Sequence, residues 1–133
     1  MSKSGMLLVG HGSKLPYNKD LVLSVGDLIA EKSDDYIVRC AFMNMNTPSI
    51  KEALESFSNE DIVNIVVVPL FLAKGVHILK DIPELINLPE GQTKGTLQLN
   101  GKTIPLVYAD PIGSDPLLAD LMLKNAKVAL SAL

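Results

Sequence analysis

The chain has no tryptophan, one arginine, one cysteine and two histidines. Each scarcity excludes something. Cys40 alone cannot form an internal disulfide, and its place in an apolar run reads as a small buried side chain. With Arg39 the sole arginine, and Gly10 rather than arginine before His11, phosphohistidine chemistry lacks its usual phosphate clamp. No apolar run is long enough to span a membrane, because the longest, 62–73, is broken by Asn64 and Pro69. The start, Met1-Ser2-Lys3-Ser4-Gly5, lacks the apolar region and cleavage site of a secretory signal, so a cytoplasmic location is expected. A net charge of −3 argues against a broad nucleic-acid surface. Neither G-x-x-x-x-G-K-[ST] nor G-x-G-x-x-G occurs, and Ser13 is not set in a G-x-S-x-G elbow.

What is present suits one globular domain over residues 1–133, with 47% hydrophobic residues available for a core. Residues 6–9 read as a buried strand. Leu21, Val25, Leu28 and Ile29 then recur at helical spacing. A second strand spans 36–42, followed by a helix with Thr47 as N-cap, Pro48 at its first position and Ile50, Ala53, Leu54 and Phe57 on its apolar face. Residues 62–68 are almost all β-branched and apolar, as expected for a strand covered on both faces. A short helix follows over 76–86. Asn100-Gly101 predicts a type I′ hairpin leading into a last strand at 104–108. Asp115-Pro116 opens a terminal helix with Leu118, Leu121, Met122, Ala126 and Ala129 on one face. This alternation predicts an α/β, flavodoxin-like fold. Its four-stranded parallel sheet has order 2-1-3-4, helices on both faces and a small hairpin before the last strand.

In such sheets ligands bind beyond the carboxyl ends of the strands, at the switch point between strands 1 and 3. Those are the strands followed by His11 and His77. Histidine is the commonest metal ligand and titrates near neutral pH. Two histidines are too few for a closed structural zinc site, but suit an open or transient one; a symmetric dimer could also bring two pairs together. Lys14, Lys19, Lys74 and Lys80 flank the same loops, with Asp20 and Asp81 the only acids close by in sequence. This locally positive rim suits an anionic ligand. The glycines beside His11 let backbone N–H groups approach such an anion.

Leu8-Val9-Gly10-His11-Gly12-Ser13, the segment from Val67-Val68-Pro69-Leu70-Phe71-Leu72 through Lys74-Gly75-Val76-His77, Asp81-Ile82-Pro83 and Asp110-Pro111-Ile112-Gly113 occur in this order. Together they resemble the short-form class II chelatases of archaea, which insert cobalt or nickel into sirohydrochlorin. The resemblance runs over nearly the whole chain. It implies a chelatase fold, with His11 and His77 as metal-binding and catalytic residues. Gly12, Ser13, Lys14, Asn44, Lys74, Gly75 and Val76 are then the substrate-contacting candidates. It further implies a homodimer with the tetrapyrrole near the interface, no ATP and no permanently bound cofactor. Co²⁺ or Ni²⁺ is a substrate, in cobalamin or coenzyme F430 biosynthesis. A metal or tetrapyrrole carrier with the same fold and no turnover is the alternative.

Two departures from the pattern matter. Asn44 stands where many relatives carry a glutamate, and an amide cannot take a proton as a carboxylate does. Residues 86–96 hold no histidine, so the histidine-rich loop of some relatives is absent.

Overall fold

The apolar start of the chain becomes a strand longer than its 6–9 centre. In a computed structural model describing residues 3–133, β1 runs over Lys3–Gly10. The reading of the N-terminus rests partly on Met1 and Ser2, which lie outside the described residues. Strands β2 (Tyr36–Phe42) and β3 (Ile62–Pro69) lie parallel to β1 on its two sides. Strand β4 (Lys94–Leu99) turns through Asn100 and Gly101 into β5 (Lys102–Tyr108), which pairs parallel with β3. The sheet order is β2-β1-β3-β5-β4.

The four parallel strands thus keep the expected order, but the sheet has five strands. The first arm of the hairpin is a full strand, antiparallel at the edge and in register from Leu99↔Lys102 to Lys94↔Val107. The two-residue turn has both central φ angles positive, 52° at Asn100 and 78° at Gly101, as a type I′ hairpin requires.

Helices cover both faces. On one face, Leu7, Val9, Ile65, Val67 and Leu106 pack beneath α2 (Ile50–Glu55) and α3 (Ile82–Leu85). On the other, Leu8 and Phe42 pack beneath α1 (Pro16–Lys32) through Val22. Burying each such side chain contributes roughly 1.5–3 kcal/mol, so the register is strongly fixed. Gly26 lets α1 approach β2 closely, because a Cβ there would sit 2.7 Å from Cys40 Sγ. Cys40 is half-buried rather than fully buried, and burial, with a smaller push from Asp27, raises its thiol pKa.

Three local expectations shift. Helix α2 is capped by Ser49, not Thr47: its hydroxyl accepts from the Glu52 N–H while the Glu52 carboxylate accepts from the Ser49 N–H. That exchange holds the Glu52 carboxyl below its ordinary pKa. In α1 Val22 and Gly26 are buried against the sheet and the expected Val25 and Ile29 pack beside them, while Leu21 and Leu28 are about half exposed. The terminal helix α4 (Pro116–Leu130) forms as expected, with Asp115 accepting from the Leu117 N–H. None of its residues is buried.

Candidate functional site

Both histidine loops leave the carboxyl ends of adjacent strands. Gly10 ends β1, so His11 projects directly above it; Pro69 ends β3, and the chain continues to His77 at the start of a π-helical turn, His77–Asp81, that runs into α3. The two imidazoles meet edge to face with ring centres 4.7 Å apart and planes at 67°. The Phe71 ring lies 6.3 Å from each.

The hydrogen bonds of the rings decide what they can do. His11 Nδ1 lies 2.9 Å from the Gly12 carbonyl and His77 Nδ1 lies 2.8 Å from Asp81 Oδ2. A carbonyl and a carboxylate accept only, so each Nδ1 carries the proton and donates. In the neutral imidazole each Nε2 then keeps its lone pair. This is the arrangement in which an outer carboxylate or carbonyl orients a metal-binding imidazole. Among the described residues, no group of three or more His, Cys, Asp or Glu could hold a metal. The pair therefore offers two nitrogens and leaves the other coordination positions open.

The loop around His11 is built from backbone contacts. Gly12 has φ +89°, and a Cβ there would lie 1.9 Å from the Asn44 carbonyl oxygen. The Asn44 N–H donates to the His11 carbonyl at 3.3 Å and the Met43 N–H to the Gly10 carbonyl at 3.0 Å. The amides of Gly12 and Ser13, expected to face an anion, instead donate to the side-chain oxygens of Asn18 and Asn46, both at 2.9 Å. They shape the loop and are not free donors. The Ser13 hydroxyl accepts from the Leu15 N–H, a turn role rather than that of an activated nucleophile.

Around His77 the structure is similarly tied. Gly75 accepts from the Leu79 N–H at 2.9 Å, and the Tyr108 hydroxyl donates to the Ile78 carbonyl at 2.9 Å. Burial, with a smaller contribution from Asp110, pushes the Tyr108 pKa up to about 12. The Ile112 and Gly113 amides donate to the carbonyls of Phe71 and Leu72.

Lys14, Lys74, Gly75 and Val76 are exposed on these loops. Among the described residues neither lysine forms an ion pair, whereas Asp81 is occupied by His77 and Arg39 by Glu60. Arg39 also stacks on Phe57, so it supplies no phosphate clamp to His11. The same loops expose Leu15, Met45, Leu72 and Val76. A cleft lined by Lys74, Ile78, Tyr108 and Asp110 measures about 210 Å³, below the ~300–1,000 Å³ of pockets that enclose a small molecule. The histidine pair sits on an open apolar and basic face.

No motif signals Asn18, Asn46 or Tyr108. Phe71 and Asp81 lie within the quoted segments, and the spacing of four residues from His77 marks Asp81.

Comparison with known proteins bears on this arrangement. The sequence profile of the CbiX family matches residues 5–129. The chain is 51% identical over 128 residues to the sirohydrochlorin cobaltochelatase of Methanosarcina barkeri, covering 96% of this chain and 98% of that one. It is 48% identical to the enzyme of that name from Methanosarcina acetivorans, with the same coverage. In structure it is similar to a CbiX protein from Marinobacter aquaeolei VT8, with a TM-score of 0.71, 24% identity, and coverage of 98% and 99%. It is also similar to the sirohydrochlorin chelatase SirB from Bacillus subtilis subspecies spizizenii in complex with cobalt. There the TM-score is 0.75 at 23% identity, covering 94% of this chain and 50% of SirB. These two likenesses speak for the fold.

Proposed function

This chain belongs to the CbiX family, and on that premise we propose that it is a sirohydrochlorin chelatase whose His11 and His77 load a divalent ion into the tetrapyrrole. The observation that carries the assignment is the imidazole pair, 4.7 Å apart, with both Nδ1 atoms engaged and both Nε2 atoms free. The relatives' printed name supports cobalt as the metal substrate; nickel is accepted by the same nitrogen ligands. The product then serves cobalamin or coenzyme F430 biosynthesis.

The reaction exchanges one M²⁺ for two pyrrole protons. The ion enters on the two Nε2 atoms with water in its remaining positions. Ring nitrogens replace the waters and then the imidazoles. Each imidazole that gives up the ion regains a lone pair and accepts one pyrrole proton, so two protons leave on two bases. Asp81 stabilises the His77 imidazolium so formed. Asn44 takes no part as a base. Lys14 and Lys74 attract the substrate's carboxylates, while Leu15, Met45, Leu72 and Val76 face the macrocycle. With the Gly12 and Ser13 amides already bonded, carboxylate recognition falls to the lysines.

We further propose that residues 1–133 act as a single chelatase domain and that the working unit is a cytoplasmic homodimer. The open face and its two-ligand site support a partner that encloses the ring. No helix among the described residues is long and apolar enough to cross a membrane.

The test is anaerobic incubation with sirohydrochlorin and Co²⁺ or Ni²⁺ at catalytic protein concentration. The expected result is many turnovers above the spontaneous rate, seen as loss of free-tetrapyrrole absorbance. Binding of ion and ring without turnover identifies a carrier instead.

A further inference from the structure

The two site histidines are oriented by unlike means. His77 donates from Nδ1 straight to a carboxylate, Asp81 Oδ2, at 2.8 Å. His11 donates from Nδ1 to the carbonyl of its own neighbour, Gly12, at 2.9 Å. A backbone carbonyl orients a ring only if its peptide plane is itself held, and glycine leaves that plane the most freedom to rotate. Something must hold the Gly12–Ser13 peptide.

That peptide has one other polar end, the Ser13 N–H, which donates to Asn46 Oδ1 at 2.9 Å. The carbonyl and the N–H of a trans peptide point in opposite directions from one rigid plane. Asn46 and His11 therefore grip the same plane from its two sides: Asn46 Oδ1 takes the Ser13 N–H, and the Gly12 carbonyl takes the His11 Nδ1–H. Hydrogen bonds in such a chain polarise one another, so Asn46 also makes the Gly12 carbonyl a better acceptor. Asn18 holds the preceding peptide, accepting from the Gly12 N–H at 2.9 Å.

The loop that supplies Asn46 is bent to deliver it. Met43 and Asn44 run beside the His11 loop and donate to the Gly10 and His11 carbonyls at 3.0 and 3.3 Å. The chain then turns. The Asn46 N–H donates to the Asn44 carbonyl at 2.7 Å, closing a γ-turn around Met45, whose φ is 63°. The positive-φ form of this turn is rare and strained. Met45 is 65% exposed, so packing of its side chain does not explain the strain. Strain of this kind persists where the surroundings over-determine it. Here the turn sends the half-buried Asn46 side chain to the Ser13 N–H and lays the Asn44 carbonyl against Gly12.

We propose that Asn46 is a positioning residue for metal capture: through the Gly12–Ser13 peptide it fixes the proton of His11 on Nδ1 and keeps Nε2 open to the ion. Which nitrogen of a neutral imidazole takes a metal is set by the hydrogen bond that the other makes. Asn46 does for His11, at one peptide's remove, what Asp81 does directly for His77. It acts through the backbone, adds no charge and is not itself a ligand. The inference rests on the reading of His11 as a metal ligand and names the group that prepares it.

The test is long-range ¹H–¹⁵N NMR of the imidazoles at about pH 8.5, where an ordinary imidazole is neutral. It is run on the metal-free full chain, on Asn46→Ala and on Asn46→Asp, and paired with calorimetric Co²⁺ titration. The chain has two histidines, so a His77→Gln spectrum assigns both rings. Both are expected as Nδ1–H tautomers in the parent. Asn46→Ala should mix the tautomers of His11 alone, with His77 as the internal reference. It should weaken Co²⁺ binding about fivefold, the net worth of one hydrogen bond. Asn46→Asp keeps an oxygen acceptor and should restore the His11 tautomer. Asn46→Leu, of similar size and without an acceptor, serves should Asn46→Ala misfold. A parent His11 protonated on Nε2, or a ring that stays Nδ1–H in the folded Ala or Leu variant, overturns the relay and leaves the chelatase reading standing. A mixed tautomer with unchanged Co²⁺ affinity overturns the positioning role. Undiminished Co²⁺ affinity in His11→Ala overturns the metal-site reading and the proposal with it.

Discussion

Asp81 Oδ2 accepts from His77 Nδ1 at 2.8 Å, across the π-helical turn that opens at His77. The contact is half-exposed, so its value as an ion pair in water is small. Its consequence is orientation: it fixes the protonated nitrogen of His77 and turns Nε2 outward. Asp81→Asn can present an amide oxygen and keep the hydrogen bond, whereas Asp81→Ala cannot. Outer partners of metal-binding histidines are worth about 10–100-fold in metal affinity. Calorimetric titration with Co²⁺ should show a loss of that order for Asp81→Ala and a smaller one for Asp81→Asn. Equal affinity in parent and Asp81→Ala would mean that His77 needs no orientation.

The backbone at Asn44 matters more than its side chain. Its carbonyl packs against Gly12 and its N–H reaches the His11 carbonyl, and neither contact uses the amide group. Asn44→Ala should keep most of the chelatase activity. Gly12→Ala places a Cβ against the Asn44 carbonyl at a positive φ, a strain of about 1–3 kcal/mol before the clash is counted. It should lower the melting temperature by several degrees and displace His11. Calorimetry and initial rates on the two variants check the order; a stable, active Gly12→Ala protein would contradict it.

Lys14 and Lys74 have no acidic partner among the described residues, so their charge is available to a ligand. Replacing both by glutamine should raise KM and flatten its salt dependence, with kcat changed much less. Exposed pairs are each worth up to about 1 kcal/mol and are screened by salt. A KM that is unchanged at low ionic strength would remove the lysines from substrate capture.

Tyr108 is an acid whose pKa rises from 10.0 to about 12 on folding, chiefly by burial. An acid with a raised pKa stabilises the fold below its unfolded pKa, and that contribution disappears as pH climbs from about 10 toward 12. Tyr108 should titrate late, together with loosening of the His77 turn. An alkaline titration followed by tyrosinate absorbance should lose its late component in Tyr108→Phe. A late component that persists there belongs to another tyrosine.

Much of the sheet was legible because its signals are local. The β-branched run at 62–68 is β3, Asn100-Gly101 is the hairpin turn, and the histidines fall at the switch point between β1 and β3. Misreadings arose where the decisive contact is distant or is not a side-chain property. Gly26 faces the sheet because it is small, so apolarity drew attention to Leu21 and Leu28 instead. Thr47-Pro48 resembled a helix start, but the reciprocal Ser49–Glu52 capping pair marks the true one. Strand β4 reads only as a hairpin arm because its outward residues Lys94, Thr96 and Gln98 are polar, as an edge strand permits. Asn46 caps a loop 33 residues away, which no spacing announces.

The central claim is that two imidazoles, and no third protein ligand, carry the ion into the ring. Initial rates of metal insertion in His11→Ala and His77→Ala, corrected for the spontaneous reaction and paired with circular dichroism, test it most directly. The account predicts that each variant stays folded and loses most of its activity, with Co²⁺ affinity falling in parallel. Near-parental turnover in either folded variant would contradict it.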